Sequence, residues 1–244
     1  MWAIQQVLAS YWAAAGNGLR NNVVGYYSEV NNPDDIHGSA DATATNITYD
    51  GSDFVIGTYS TVFNGSTSVF LPPDLNLDGW DFTIRLLFKI PSDDNNKHQL
   101  IAIHDTGSFA NKLEVYVGNT SESDSLRITM RDGAAWGSAL SPAPSTNYKD
   151  NTRRHLVMTR TASSGFVEVF IDGTSVSSMT DIENKVTLWP QYNIGAFKYN
   201  TTLYNPMDWK VQGAAFIAWE VRGSTKIDAD YNSWSPLSYS ERTT

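Results

Sequence analysis

The segment from Gln191 to Trp209 combines aromatic rings with amide and carboxylate side chains at close spacing. Aromatic faces pack against the C–H surfaces of sugar rings, and a few polar side chains fix the sugar hydroxyls. The candidate sugar-binding residues are Tyr192, Tyr204, Asn205 and Trp209, together with Trp136 at a second location. The alternative is that these rings cover an edge of the protein itself or a contact with another subunit.

Asp105 is the candidate metal ligand, and it directly follows an apolar run. A second acidic segment, Asp93-Asp94-Asn95, precedes that run. Calcium takes six to eight oxygen ligands from carboxylates, amides and loop carbonyls. Ca²⁺ is therefore the one cofactor that the sequence suggests. The alternative is that both acidic segments are ordinary solvated turns.

Catalytic motifs are missing from the sequence. There is no cysteine, which excludes thiol catalysis and disulfides. Four histidines occur, at His37, His98, His104 and His155, but no Gly-x-Ser-x-Gly elbow accompanies them. No phosphate-binding glycine loop is present either. We therefore predict that the protein is not an enzyme.

The charge balance excludes several classes of partner. The formal net charge is -9 and the 17 basic residues are scattered, whereas a nucleic-acid groove needs clustered Lys and Arg. No stretch approaches the ~20 apolar residues that span a membrane. We also expect no signal peptide, because no Lys or Arg precedes Arg20 and Gln5 and Gln6 interrupt the apolar run.

Residues 1–20 differ from the rest of the chain, because their apolar side chains follow the spacing of one face of a helix. That face comprises Ile4, Val7, Leu8, Tyr11 and Trp12, and Gly16, Asn17 and Gly18 end the pattern. One interpretation is a helix that packs on its own domain. The other is a helical segment that docks the protein onto other subunits of a larger assembly.

From residue 21 onward the sequence predicts one all-β domain. The clearest strand is Trp80 to Ile90, in which apolar and polar residues alternate, so that one face lies in the core and the other faces water. Asn64-Gly65 and Asp172-Gly173 predict tight hairpin turns, because both positions of each turn tolerate positive φ. Many short antiparallel strands with almost no internal helix indicate a sandwich or a barrel.

The run RRHLVMTRTASSGFVEVFIDGTSV, from Arg153 to Val176, resembles the core motif of laminin-G-like and concanavalin A-like lectin domains. The residues that match it are His155, Val157, Thr159, Phe170, Asp172 and Gly173. The resemblance implies a two-sheet antiparallel jelly-roll over residues 21–244, with a short C-terminal helix near Ser224 to Tyr231 besides the N-terminal one. His155, half-buried, and Asp172 would then belong to the scaffold.

Glycoside hydrolases share this fold, and retaining ones need two carboxylates about 5–5.5 Å apart. The related glucanases supply them from one strand as Glu-x-Asp-x-x-Glu, a string that this sequence lacks. The resemblance therefore implies a non-catalytic recognition or adhesion module that binds either cell-surface glycans or a surface protein through its rim loops.

Modules of this type without signal peptides resemble those of bacteriophage virion proteins. We accordingly expect a virion structural protein, as a head decoration, fibre or tail adhesin, on the virion or extracellular surface. The alternative is a secreted or cell-surface carbohydrate-binding protein.

Overall fold

The computed structural model describes residues 23–27, 31–35, 40–54, 58–75, 77, 80–92, 95–105, 112–118, 125–132, 135–136, 146–180, 191–218 and 227. The predicted docking helix, with Ile4, Val7, Leu8, Tyr11 and Trp12, lies outside these residues. So does the predicted C-terminal helix except for Ile227. Within the described residues, no helix has the length and apolarity needed to cross a membrane.

The described part of the chain is built from antiparallel strands in two large sheets and one small hairpin. The eight-stranded sheet has the order β13-β12-β11-β6-β17-β4-β3, with β1 also paired to β17. Its strands are β1 (Val23–Tyr27), β3 (Thr48–Asp50), β4 (Ser60–Asn64), β6 (Phe82–Lys89), β11 (Arg154–Thr161), β12 (Phe166–Ile171), β13 (Thr174–Thr180) and β17 (Asp208–Ala218).

The seven-stranded sheet has the order β10-β9-β8-β7-β14-β5-β2. Its strands are β2 (Thr43–Thr45), β5 (Val69–Leu71), β7 (His98–His104), β8 (Lys112–Val117), β9 (Leu126–Asp132), β10 (Ala135–Trp136) and β14 (Gln191–Ile194). The separate hairpin consists of β15 (Phe197–Tyr199) and β16 (Thr202–Tyr204).

One hydrophobic core joins the inner faces of the two large sheets, as expected for a sandwich. Ile84 of β6 and Met158 of β11 belong to it from one sheet, and Ile103 of β7 and Val115 of β8 from the other. Because side chains alternate along a strand, the neighbours of these residues lie on the outer faces. This alternation confirms the predicted all-β sandwich.

One of the two predicted hairpin turns forms, at Asp172-Gly173. The hairpin predicted at Asn64-Gly65 is wrong, because the strands on either side of it, β4 and β5, belong to different sheets. Asp172 and Gly173 both have positive φ, 50° and 81°, which is the geometry of a two-residue type I′ turn. The Asp172 carboxylate accepts a hydrogen bond from the backbone N–H of His155 (2.8 Å) and one from Arg154 (3.2 Å). Asp172 therefore has the scaffold role that the resemblance implies.

The outer face of the eight-stranded sheet is buried along most of β6, which corrects the prediction of a solvent-facing side for the strand at Trp80 to Ile90. Thr83, Arg85 and Leu87 lie on that outer face, and each is buried. Val157 and Phe170 of the same face pack with Ile227 in a second apolar cluster. His155 is likewise fully buried rather than half-buried. Ile227 covers part of this face, so the wet face that simple alternation predicts is not present there.

Candidate functional site

The β15–β16 hairpin folds over the outer face of the seven-stranded sheet. The Phe197 ring meets the imidazole of His104 edge to face, with centroids 4.6 Å apart. The ammonium of Lys112 lies 4.8 Å from the centre of the same ring. His104 and Lys112 are outer-face residues because their neighbours Ile103 and Leu113 belong to the core.

Polar side chains form a row across this outer face. Strand register places Asn193 beside Ala102, Ala102 beside Glu114, and Glu114 beside Thr129. Asn193 is buried, and its amide has no hydrogen-bond partner among the described residues. An unsatisfied buried amide is costly, so the row provides hydrogen-bonding capacity that the described part of the fold does not use.

Lys112 and Glu114 form a buried ion pair on the same face, with an N–O distance of 2.7 Å. Burial raises the pKa of Glu114, although the positive charges of Lys112 and Lys97 act in the opposite direction. Lys97 in turn lies over the ring of Tyr116, 5.4 Å from its centre. These contacts connect the hairpin side of the sheet to Tyr116.

A hydrogen bond ties the end of the hairpin to this face, because the backbone N–H of Gln99 donates to the carbonyl of Asn205 at 2.9 Å. Gln99 is also paired with Tyr116, and Tyr116 with Arg127. The hairpin end and two further strands therefore meet along one line. We define the Tyr204 patch as Lys97, Tyr116, Arg127, Tyr204 and Asn205, all of them exposed or half-buried.

Tyr204 is the most accessible ring of the patch, with 39% of its surface exposed. Its ring packs against Phe197, with centroids 5.8 Å apart, and Phe197 anchors it to the sheet. Asn205 follows with a φ of 49°, a left-handed conformation that asparagine tolerates better than most residues. The hairpin thus presents the exposed Tyr204 ring on the support of Phe197, with Asn205 next in sequence.

The structure brings Tyr204 and Asn205 together, but it corrects the prediction for Tyr192. Tyr192 is buried, its ring packs edge to face on Phe216 in the core, and its hydroxyl accepts a hydrogen bond from the N–H of Leu77 at 3.1 Å. It therefore cannot contact a surface ligand. Trp136 lies in β10, the short strand at one edge of the seven-stranded sheet. The hairpin instead contacts His104 of β7 and Lys112 of β8.

Asp105 directly follows β7, and its carbonyl lies 2.9 Å from Nδ1 of His104. Among the described residues, no three His, Asp or Glu side chains are grouped as a metal site. The described residues therefore do not group Asp105 with two further carboxylate or histidine side chains. A calcium role for Asp105 stays a prediction.

Trp209 belongs to a different group of residues, at the start of β17 in the eight-stranded sheet. Lys210 and Lys89 lie 5.1 and 5.7 Å from its ring centre. These lysines converge on Asp53, whose carboxylate also pairs with Arg153 at 2.5 Å. Asp50 adds a second carboxylate, 2.7 Å from Lys210. We call these five charged residues the Asp53 cluster.

Burial acts to raise the pKa of Asp53, but hydrogen bonds from Lys210 and Lys89 and the charge of Arg153 outweigh it and lower the pKa to about 2. A carboxyl with a depressed pKa stabilises the fold above its unfolded pKa of about 3.9, and this stabilisation is lost as the pH falls through the folded value. The Asp53 cluster therefore contributes to stability at neutral pH and loses its contribution between about pH 4 and pH 2.

Replacing Asp53 by Asn is expected to lower the free energy of unfolding by about 1–2 kcal/mol at pH 7, a value reduced for the partial exposure of the cluster. Urea unfolding at pH 7 measures it, since urea does not screen charges. Asp34→Asn is the matched control, because Asp34 is exposed and its carboxylate bonds to Asn32 in its own turn. Equal stability of Asp53→Asn and the control would show that the cluster contributes nothing.

Sequence reasoning missed Lys97, Tyr116 and Arg127. A signal was available for part of this set, since alternation in Lys112–Val117 places Lys112, Glu114 and Tyr116 on one face. Their proximity to Tyr204 depends on the register of β7 with β8 and on the bond between Gln99 and Asn205, which spans more than a hundred residues of sequence.

Two antiparallel sheets packed around one core, with a hairpin on the outer face of one sheet, define a lectin-like jelly-roll domain. Residues 63–205 match the family model of the concanavalin A-like lectin/glucanases superfamily, which is more than half of the chain, and the protein belongs to this superfamily. No curated protein sequence matches the chain.

Solved structures of similar fold include the binding domain of Paraclostridial Mosquitocidal Protein 1, with a TM-score of 0.68 and 12% identity, covering 89% of this chain and 53% of that one. The botulinum neurotoxin serotype D binding domain gives a TM-score of 0.65 and 14% identity, covering 88% of this chain and 53% of that one. This chain therefore spans about half the length of these toxin domains.

Domain 4 of AbnA, a GH43 extracellular arabinanase from Geobacillus stearothermophilus, was solved in complex with arabinotriose. It gives a TM-score of 0.64 and 16% identity, covering 86% of this chain and 98% of that one. At these identities the likeness shows the fold. The similar structures named above are binding domains of toxins and a domain that carries a bound sugar, rather than catalytic domains.

Proposed function

We propose that this protein is a non-catalytic carbohydrate-binding module that recognises a glycan through the Tyr204 patch. The observation that carries the proposal is the exposed ring of Tyr204, which packs on Phe197 at the outer face of the seven-stranded sheet, with Asn205 next in sequence. Sugar sites combine such a ring with a few well-placed polar groups. Tyr116 offers a second, half-buried ring along the same line.

Hydrolysis is disfavoured by the carboxylates of this face. Among the described outer-face side chains of β7, β8, β9 and β14, Glu114 is the only carboxylate, and it is paired with Lys112. A retaining glycosidase needs a second carboxyl about 5–5.5 Å away. The bound arabinotriose of the arabinanase domain supports a sugar ligand on this fold as an analogy.

A panel of soluble glycans that includes arabinotriose, screened with and without calcium, tests the proposal on the full chain. We expect binding to at least one glycan, and we expect Tyr204→Ala to weaken it about tenfold, or about 1.4 kcal/mol. Phe166→Ala is the matched control, because Phe166 is an aromatic residue of similar exposure on the eight-stranded sheet. Absence of binding to every glycan in both buffers would contradict the proposal.

The docking role of the N-terminal helix and the location on a virion or another extracellular surface stay predictions from the sequence. The docking role is tested by comparing two proteins, the full chain and one that starts at Arg20. Assembly of the full chain but not of the shorter one would support docking, whereas identical behaviour of the two would contradict it.

A further inference from the structure

We infer that the ligand of the Tyr204 patch is an oligosaccharide long enough to contact a second ring, Tyr116, while it also contacts Tyr204. This inference rests on the proposed carbohydrate-binding function and specifies the length class of its ligand. It arises from the spacing of the two rings across β7 and β8, and from a buried amide oxygen that lies between them.

The strand register sets the distance between the two rings. The N–H of Gln99 donates to the carbonyl of Asn205 at 2.9 Å, so the end of the hairpin lies directly beside β7. Gln99 is paired with Tyr116 on β8. Because neighbouring strands lie about 4.8 Å apart, the backbone at Asn205, which directly follows Tyr204, is about 10 Å from the backbone at Tyr116. A sugar chain advances by about 5 Å per residue, so rings spaced in this way suit the first and third residues of a trisaccharide.

Tyr116 has the position and the support of a second sugar platform. It lies on the outer face of β8 because its neighbours Val115 and Val117 belong to the core. Its ring is half-buried, and the ammonium of Lys97 lies over it, 5.4 Å from its centre. Among the described residues, the Tyr116 ring has no further contact with a ring or a cation. The ammonium fixes one face of the ring, and the other face can pack against the C–H surface of a sugar.

Gln99 lies between the two rings and has hydrogen-bonding capacity that the described fold does not use. Paired residues of neighbouring strands share a face, so Gln99 lies on the outer face together with Tyr116. Its Nε2 donates to the carbonyls of Ile101 (2.6 Å) and Val115 (3.1 Å), which holds the side chain down against the sheet. Its Oε1 is buried and has no hydrogen-bond partner among the described residues. An unpaired buried acceptor is costly, and a hydroxyl group of the middle sugar supplies the missing donor.

This arrangement predicts how affinity depends on the length of the ligand. A monosaccharide on Tyr204 reaches neither Gln99 nor Tyr116, whereas a trisaccharide that runs across β7 and β8 contacts all three residues. We therefore expect the dissociation constant to fall about tenfold between one and three sugar residues, and to change little with further residues.

Calorimetric titration of the full chain with oligosaccharides of one to six residues is the test. The probes are the arabino-, xylo-, cello-, laminari-, manno- and chito-oligosaccharide series. We expect at least one series to show the tenfold decrease. A dissociation constant that differs by less than about threefold between one and three residues in every series that binds would leave carbohydrate binding intact and overturn the inference.

Variants show whether Tyr116 causes the effect of length. In Tyr116→Ala, the ratio of the dissociation constants for one and three residues is expected to fall from about 10 to about 2, whereas Tyr116→Phe retains the ring and the ratio. Phe166→Ala, which removes an exposed aromatic residue of the other sheet, is the control and should also retain it. The ratio does not depend on the folded fraction of the sample, so partial unfolding of a variant does not obscure the result.

The remaining outcomes separate this inference from the proposed function. An unchanged ratio in Tyr116→Ala would overturn the inference. Equal weakening of all lengths by Tyr116→Ala would show that Tyr116 acts on the structure rather than on the third sugar residue, and would overturn it as well. Absence of binding in every series would also overturn the inference, and failure of the wider glycan panel would then contradict the proposed function too.

Discussion

Gly195→Ala is expected to lower the free energy of unfolding by about 2–5 kcal/mol. A methyl group at Gly195 would lie 2.1 Å from Cε1 of Phe63, which is a buried core ring. Its φ of +81° adds the left-handed strain of about 1–2 kcal/mol that a side chain introduces. Forcing an extra carbon into a packed core typically costs a further 1–3 kcal/mol.

Thermal unfolding followed by circular dichroism measures this effect. For a chain of this size, each kcal/mol shifts the midpoint by about 2–4 °C, so we expect a decrease of roughly 4–20 °C. Phe63→Leu in the same background separates the steric clash from the strain. The double variant should lose less stability than the sum of the two single variants. Additive losses would show that the contact with Phe63 is not the cause.

Gly195 also positions the candidate site. Its N–H donates to the carbonyl of Leu100, and its carbonyl accepts a hydrogen bond from Met207, so both ends of the β15–β16 hairpin are held at one point. Tyr204 lies inside this closed loop. A variant at Gly195 that still folds is therefore expected to bind glycan more weakly, because the ring of Tyr204 would lose its fixed support.

Local chemistry explains why much of the fold could be predicted from the sequence. The turn at Asp172-Gly173 follows from two adjacent residues that tolerate positive φ, and the strands on either side follow from period-two alternation. Both signals reside in a few consecutive residues. The strands Arg154–Thr161 and Phe166–Ile171 were accordingly predictable to the residue.

The burial of Tyr192 could not be predicted in the same way. An aromatic residue in a polar segment is compatible with a sugar site and with the core, and the choice depends on the face of a four-residue strand. Asn193 next to it lies on the opposite face, so a shift of one residue in register would exchange their environments. The Tyr204 patch is still harder to predict from the sequence, since its five residues come from four separate segments of the chain.

The burial of His155 gives the fold a dependence on pH that alternation alone does not predict. Burial, with a contribution from the charge of Arg85, lowers the pKa of His155 to about 3. The two side chains lie on the outer face of neighbouring strands, since His155 is paired with Leu87 and Arg85 with Val157. A second positive charge at this point is therefore strongly disfavoured in the folded state.

The direction of the pH effect follows from the two protonation states. The unfolded chain protonates His155 near pH 6.5, whereas the folded chain does so only near pH 3. Between these values the unfolded state binds more protons, so stability falls as the pH falls. One such group accounts for up to about 1.4 kcal/mol per pH unit, and for about 2 kcal/mol between pH 6.5 and pH 4.5 because the unfolded histidine is only half protonated at pH 6.5.

His155→Leu and His155→Gln both remove this titration. We expect each variant to gain stability relative to the natural chain as the pH is lowered from 7.5 to 4.5, whatever its difference at pH 7.5. Urea unfolding at a series of pH values gives the difference, in which the contributions of other titrating groups, such as His104, cancel. Parallel stability curves for the natural chain and both variants would mean that His155 protonates as easily in the folded chain as in the unfolded one.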